Sequence, residues 1–282
     1  MIIERLFKSM AQPILGDPDC IGWDDVVLDI EVPDIEIDIC QIPIPPPDPG
    51  CSSCVPEDQC DRVDVVEVGD PQNPIVEIAI FKKVTDLDCD FTSETSGTDI
   101  VFVGKQIADS SFTAKAVKGD ESVIAFNTTK VNNTDIEVKG KGDCVVNVNT
   151  GHFNNSSIFF NKKSADYVQF NNGVEVRNVT VNAGKGADII TFKENSFIKG
   201  TNVVNLGKGK DILQLPANKK GKGKISVQDL KDNDTIIIGD ESFSGKDINK
   251  GEVVLPGYIV IRHPYGCDVI PPCPHLINPV DI

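Results

Sequence analysis

Two groups of residues in this chain have types and spacings that could do chemistry. The first is a glycine-rich turn, Gly184-Lys185-Gly186-Ala187-Asp188. It recurs as Gly207-Lys208-Gly209-Lys210-Asp211 and in part as Gly140-Lys141-Gly142-Asp143. Tight glycine turns expose backbone carbonyls and an aspartate adds a carboxylate, which are the oxygen donors a hard divalent cation takes. The same residues also have a structural use: glycine supplies a positive φ at a corner, and aspartate bonds the amides of the turn. The second group is cysteine. Cys51, Cys54 and Cys60 cluster, with Cys20 and Cys40 before them and Cys89 after. Cys267 and Cys273 lie near the end, flanked by His263 and His275. These eight suit disulfides, or in part a zinc site built from His263, Cys267, Cys273 and His275. Cys144 reads as an inert buried thiol. Cys51-Ser52-Ser53-Cys54 lacks the strand and helix context of a redox dithiol. With three His in the chain, no Ser-His-Asp arrangement suggests itself.

The turn aspartates belong to a longer series that shows what must position them. Asp99, Ser122, Asp143, Asp166, Asp188, Asp211 and Asp234 follow one another at steps of 21–23 residues. The second residue after each is apolar: Val101, Ile124, Val145, Val168, Ile190, Leu213, Ile236. The fourth is apolar in all but one: Val103, Phe126, Phe170, Phe192, Leu215 and Ile238, with Asn147 the exception. A spacing of two is the strand period, and a repeat in the twenties is one supersecondary unit stacked on its neighbours. A second strand precedes each aspartate, at 112–116, 136–138, 157–160, 179–181, 203–206 and 225–227. Asn132-Asn133, Asn154-Asn155 and Asn171-Asn172-Gly173 mark turns. The expectation is an all-β, right-handed parallel β-solenoid of about seven coils over 99–240, with two strands per coil. Seven coils at about 4.8 Å would stack to roughly 34 Å. An antiparallel sandwich would not hold one polar residue at a fixed phase.

The flanks differ in character. Residues 1–98 hold 22 Asp and Glu against 5 Lys and Arg, while 99–282 are nearly neutral, within a net charge of −16. Met1 to Pro13 suits one short amphipathic helix, and its apolar run is too short for the expectation of a secretory signal. Residues 1–50 otherwise read as an extended acidic arm. Ile30, Val32, Ile35, Ile37 and Ile39 alternate with Asp29, Glu31, Asp34, Glu36 and Asp38, and a nearly polyproline stretch runs from Pro43 to Pro49. The apolar side of the arm fits β-augmentation of a neighbour or packing on its own chain. Residues 51–98 form a Cys-rich junction with strand candidates at 63–68 and 75–81, expected as first rungs or a cap. Residues 241–282 give a strand at 253–261, a cap and an irregular proline- and cysteine-bearing tail. No apolar stretch is long enough to span a membrane. An acidic chain with few aromatics argues against nucleic acid as a partner.

The glycine turns resemble the haemolysin-type RTX calcium repeat. The resemblance implies Ca²⁺ held between stacked turns by Gly184, Gly186, Asp188, Gly207, Gly209 and Asp211. Ala183 and Leu206 stand where that repeat has its first glycine, and the turn comes once per coil rather than once per nine residues. The whole chain resembles virion structural proteins of tailed bacteriophages. That implies a non-enzymatic decoration, tail or fibre component docking on other virion proteins or on copies of itself through arm and tail. Two further readings follow from resemblance. One is a secreted RTX-like calcium-binding surface protein or adhesin, located outside the cell. The other is a β-helix polysaccharide lyase or hydrolase using the aspartate row as acid pairs on an outer edge.

Overall fold

The short apolar alternations and the fixed step resolve into a parallel stack. A computed structural model describes residues 54–70, 73–91, 99–119, 121–160, 163–217, 220–252, 255–263 and 266–270. The chain divides into two units, Met1–Asp48 and Pro49–Ile282, and the described residues all belong to the second. The amino-terminal helix, the arm with Ile30, Val32, Ile35, Ile37 and Ile39, Cys20, Cys40, Cys51 and Cys273, and the tail from 271 lie outside the described residues.

The described residues form a parallel β-solenoid of about seven turns. Each coil has three sides, not the two expected. The first side is a continuous parallel ladder. It runs through β2 (Asn73–Thr85), the start of β4 (Asp99–Ala116) and of β5 (Ser122–Gly140), and β6 (Cys144–Val148). It continues through β9 (Asp166–Phe170), β13 (Ile189–Phe192), β17 (Ile212–Leu215) and β19 (Thr235–Ile238). The third side is the expected second strand: β3 (Asp88–Phe91), the ends of β4 and β5, β8 (Ser157–Phe160), β11 (Thr180–Asn182), β15 (Thr201–Asn205) and β18 (Lys224–Gln228). Between them lies a short side made by the middle of β4 and β5, β7 (His152–Asn154), β10 (Glu175–Arg177) and β14 (Phe197–Lys199). It sends only one residue inward per coil, such as Ile107, Val131, Phe153, Val176 and Ile198. A single apolar residue has no alternation to detect.

Register pairing corrects the aspartate phase at two of its seven positions. Ser122, Cys144 and Asp166 are partners, and Asp188, Asp211 and Asp234 continue the column. Cys144 therefore fills the slot that the spacing gives to Asp143, and Asp143 is exposed. The inward pair of that coil is Val146 and Val148, which removes the anomaly at Asn147. Asp99 is displaced the other way: Ile100 and Phe102 point in, while Val101 is half-buried and Val103 exposed. One-residue slips of this kind reverse every side chain of a strand, so burial decides the phase.

Inside, equivalent residues stack on one another. The rings of Phe102 and Phe126 lie 4.8 Å apart and nearly parallel. Phe126 then meets Phe153 at 6.0 Å, Phe153 meets Phe170 at 5.8 Å, and Phe170 stacks on Phe192 at 4.8 Å. This aromatic spine crosses five coils. Branched aliphatics fill the remaining volume.

Both ends of the ladder are closed by antiparallel strands. β1 (Val63–Asp70) pairs with β2, preceded by a 3-10 helix at Glu57–Arg62, and a Cys54–Cys89 disulfide ties this cap to the first coil. The parallel stack thus begins at β2, earlier than residue 99. At the far end β20 (Glu241–Ser244) folds back on β19, and the short helix α1 (Gly245–Lys250) follows. β21 (Ile259–His263) and β22 (Gly266–Ile270) add a hairpin to β18. Buried Tyr258 donates its hydroxyl to the Pro216 carbonyl at 2.8 Å, which pins this cap. Among the described residues no helix is long and apolar enough to cross a membrane.

Phe126 is fully buried and touches the spine on both sides. Phe126→Ala is expected to cost about 3–5 kcal/mol through the cavity it leaves. Denaturant unfolding would check this, and a loss below about 1 kcal/mol would contradict the continuous core.

Candidate functional site

The corner between the third and first sides carries the aspartate column, and its chemistry is backbone chemistry. Asp166, Asp188, Asp211 and Asp234 are all within 3% of full burial. Each turns one carboxylate oxygen to the coil before it. Cys144 N–H donates to Asp166 Oδ1 at 3.0 Å, Asp166 N–H to Asp188 Oδ1 at 2.9 Å, Asp188 N–H to Asp211 Oδ1 at 2.9 Å, and Asp211 N–H to Asp234 Oδ1 at 3.1 Å. Asp234 Oδ2 also accepts Lys231 N–H at 2.5 Å. The displaced Asp143 and Asp99 also accept corner amides, but from the coil after them: Ala165 N–H and Val123 N–H. These corner amides are satisfied by a carboxylate from an adjacent coil rather than from their own. The row lies inside the coil rather than on an outer edge. A sugar cannot reach these carboxylates, so they are not the surface acid pair that glycoside cleavage needs.

Burial also raises two of these carboxyl groups. Asp211 is pushed up to about 6, chiefly by desolvation; the Asp188 N–H opposes this, the Asp234 charge adds to it and Lys231 opposes it. The Oδ2 of Asp211 is buried without a hydrogen-bond partner, an arrangement that favours the neutral acid. Asp234 is raised by the same desolvation.

The glycine turn is held just as tightly. β12 (Lys185–Gly186) and β16 (Lys208–Gly209) form a two-residue parallel ladder of their own. Gly207 has φ +77°, and a Cβ there would lie 2.2 Å from the Gly184 carbonyl oxygen. A Cβ on Gly209 would lie 1.4 Å from the Gly186 oxygen. The carbonyls point along the stack at the next coil, where Gly184 O accepts Lys208 N–H at 3.0 Å. The structure thus brings Gly184, Gly186, Asp188, Gly207, Gly209 and Asp211 to one corner in two adjacent coils. They do not fit an RTX-type ion. The Gly184 carbonyl and the Oδ1 atoms are engaged by amides, and the carboxylates are buried inside the coil. Ca²⁺ takes six to eight oxygens at about 2.3–2.6 Å. Among the described residues no three His, Cys, Asp or Glu gather as a metal-holding group.

Of the cysteines, Cys54 and Cys89 are bonded, with Cα atoms 4.5 Å apart. Cys267 is buried on β22, and Cys60 is partly buried in the 3-10 helix. The other sequence candidates lie outside the described residues.

The opposite corner uses asparagine. Asp109, Asn133, Asn155 and Asn178 occupy left-handed backbone at φ of 48–52°, stacked coil on coil. Asn133 Nδ2 donates to Asp109 Oδ1 at 2.7 Å, and Asn178 Nδ2 to Asn155 Oδ1 at 3.0 Å. Asn is among the few residues that adopt this conformation readily. Just inside this corner Ser110, Ser156 and Asn202 accept backbone N–H groups of Leu87, Thr134 and Val179 at 3.0–3.1 Å.

Register exposes a feature that reading the turns for calcium missed. Counted from the true slot, a lysine stands three residues before it in five coils running: Lys141, Lys163, Lys185, Lys208 and Lys231. The first four are exposed and form no ion pair among the described residues, whereas Lys231 meets Asp229 at 3.1 Å. One residue past the slot, an outward apolar column runs through Val123, Val145, Tyr167, Ile189 and Ile212. The signal was available as Lys-x-x-x-apolar at steps of 22–23, once Asp143 is moved out of the series. Comparison with protein-family models, with curated proteins and with solved structures finds no match to this chain.

Two substitutions test the close stacking of the glycine turns, one at Gly209 and one, for comparison, at Gly173 in the corner between the first and short sides. Gly209→Ala meets backbone and is expected to lower stability by about 3 kcal/mol or more. Gly173→Ala, with φ +79° but nothing within 4 Å, should cost only about 1–2 kcal/mol. Equal losses in chemical denaturation would refute the close stacking. For pH, the unfolded Asp211 titrates near about 4 and the folded one near 6. Its contribution is therefore full below about pH 4 and is lost as pH rises through 6. Asp211→Asn keeps the Oδ1 acceptor, so its Tm should fall less than the native Tm between pH 4 and 6.5.

Proposed function

We propose that this chain is a non-enzymatic structural component of a larger assembly, of the tailed-phage virion type, joined to neighbours through its acidic arm and its tail. One observation carries the reading. The residues with chemical potential, the aspartate column, the glycine turns and the Asn and Ser corners, are engaged in coil-to-coil hydrogen bonds. They build a stiff repetitive scaffold whose variable surface is its outside. Capped ends support the same reading, because antiparallel strands on both ends of the ladder limit uncontrolled end-to-end stacking. The natural partners are other particle proteins or copies of the chain itself, and the natural location is the particle.

The test is to recover large particles from the source and quantify this chain in them. A fixed ratio to the other particle proteins is expected; a free monomer, absent from every particle fraction, would sink the proposal. A melt in EDTA addresses the calcium-dependent surface-protein alternative. Tm is expected to stay within about 2 °C of its value in Ca²⁺, whereas collapse in EDTA with rescue by Ca²⁺ would favour that alternative instead.

A further inference from the structure

Four consecutive coils present the same outward pair. Lys141, Lys163, Lys185 and Lys208 form one exposed row at the corner, and four residues after each come Val145, Tyr167, Ile189 and Ile212 on the adjoining strand. Successive coils lie about 4.8 Å apart, so this is a line of unneutralised cations beside a line of apolar side chains. Ile189 is 37% exposed, and the other three apolar residues are half-buried. Like charges at this spacing repel, and nothing in the coil's own hydrogen bonding calls for them there. The arrangement is complementary to an extended chain that is acidic on one side and apolar on the other.

We infer that this surface is the receptor for the acidic arm, 26–44, of a second copy of the chain. The inference rests on the assembly reading above and deepens it by naming the surface and its occupant. Every copy carries both halves of the match. In the arm, Ile30, Val32, Ile35 and Ile37 alternate with acids, while the lysine row stands in the nearly neutral part of the sequence. A polyanion such as an acidic glycan would satisfy the lysines but leave the apolar column wet. A plain hydrophobic strand would leave the lysines unpaired. The amphipathic arm satisfies both, with the long lysine side chains rising beside it. A contact of one patch with a different patch on the next copy is heterologous, so it propagates or closes into a ring.

The test uses the full chain. A benzophenone-bearing amino acid is placed at Ile189, and isotopically heavy and light copies are mixed, irradiated and digested. Cross-linked peptides joining position 189 to residues 26–44 are expected, including heavy–light pairs. Reversing the row with Lys163→Glu, Lys185→Glu and Lys208→Glu, all exposed, should cut that yield about tenfold without lowering Tm. Reversing Asp29, Glu31 and Glu36 to Lys in the same chain should restore it. Cross-links to the arm only within one molecule, or none to 26–44, overturn the inference. If those results come from material that sediments as a multimer, the assembly reading stands and only its receptor is wrong. If the chain stays monomeric at every concentration and no heavy–light pair forms, both fall.

Discussion

Hydrogen bonding along the stack axis is the interaction on which the rest of this structure depends. Strands of three to five residues are too short to hold together alone. Each is stabilised because a partner lies above and another below. Strand amides find their acceptors in parallel ladders, but corners interrupt the ladders and leave amides uncovered. The chain solves this with side chains placed one coil away. Aspartate serves at one corner, and serine or asparagine at the other. A residue type at a corner is thus selected by the coil next to it, which is why the repeat length scarcely varies.

Stacking equivalent residues about 4.8 Å apart has an electrostatic consequence. Any ionised residue in register meets its own kind. From Asn133 onward the opposite corner avoids the problem by being neutral, with side-chain amides donating to side-chain oxygens of the coil before. The aspartate column meets it by burial, which pushes Asp211 and Asp234 toward the neutral form. The lysine row sits in water, where screening weakens the repulsion. Among the described residues it runs through four consecutive coils as exposed lysines without an ion pair, which sets it apart from the buried aspartates and the amide-linked asparagines.

The repeat and its parallel stacking were legible because a polar residue at constant phase survives any error in strand boundaries. The third side was legible for the same reason that Phe112, Ile136, Ile158 and Val204 sit in apolar runs. The short side was not: one inward residue between polar neighbours looks like a turn. The phase failed at Asp99 and Asp143 because aspartate next to the slot resembles aspartate in it. Only burial separates Cys144 from Asp143. The glycines were legible as corner residues. Their engagement with the preceding coil was not, because that depends on where Gly184 O and Gly186 O point. The Cys54–Cys89 pair needed coordinates, since eight cysteines admit many pairings.

The geometry of the lysine row also constrains how it can recognise anything extended. The row repeats at about 4.8 Å, whereas like-facing residues of an extended strand repeat at about 6.6–6.8 Å. One-to-one pairing over several coils is therefore impossible. Such a surface senses the charge density of its occupant rather than a fixed set of partners. Attraction then grows with the number of coils covered and weakens with salt, while the apolar column supplies a component that salt does not screen. Register along the axis is left loose, and direction is left to whatever anchors the occupant at its end.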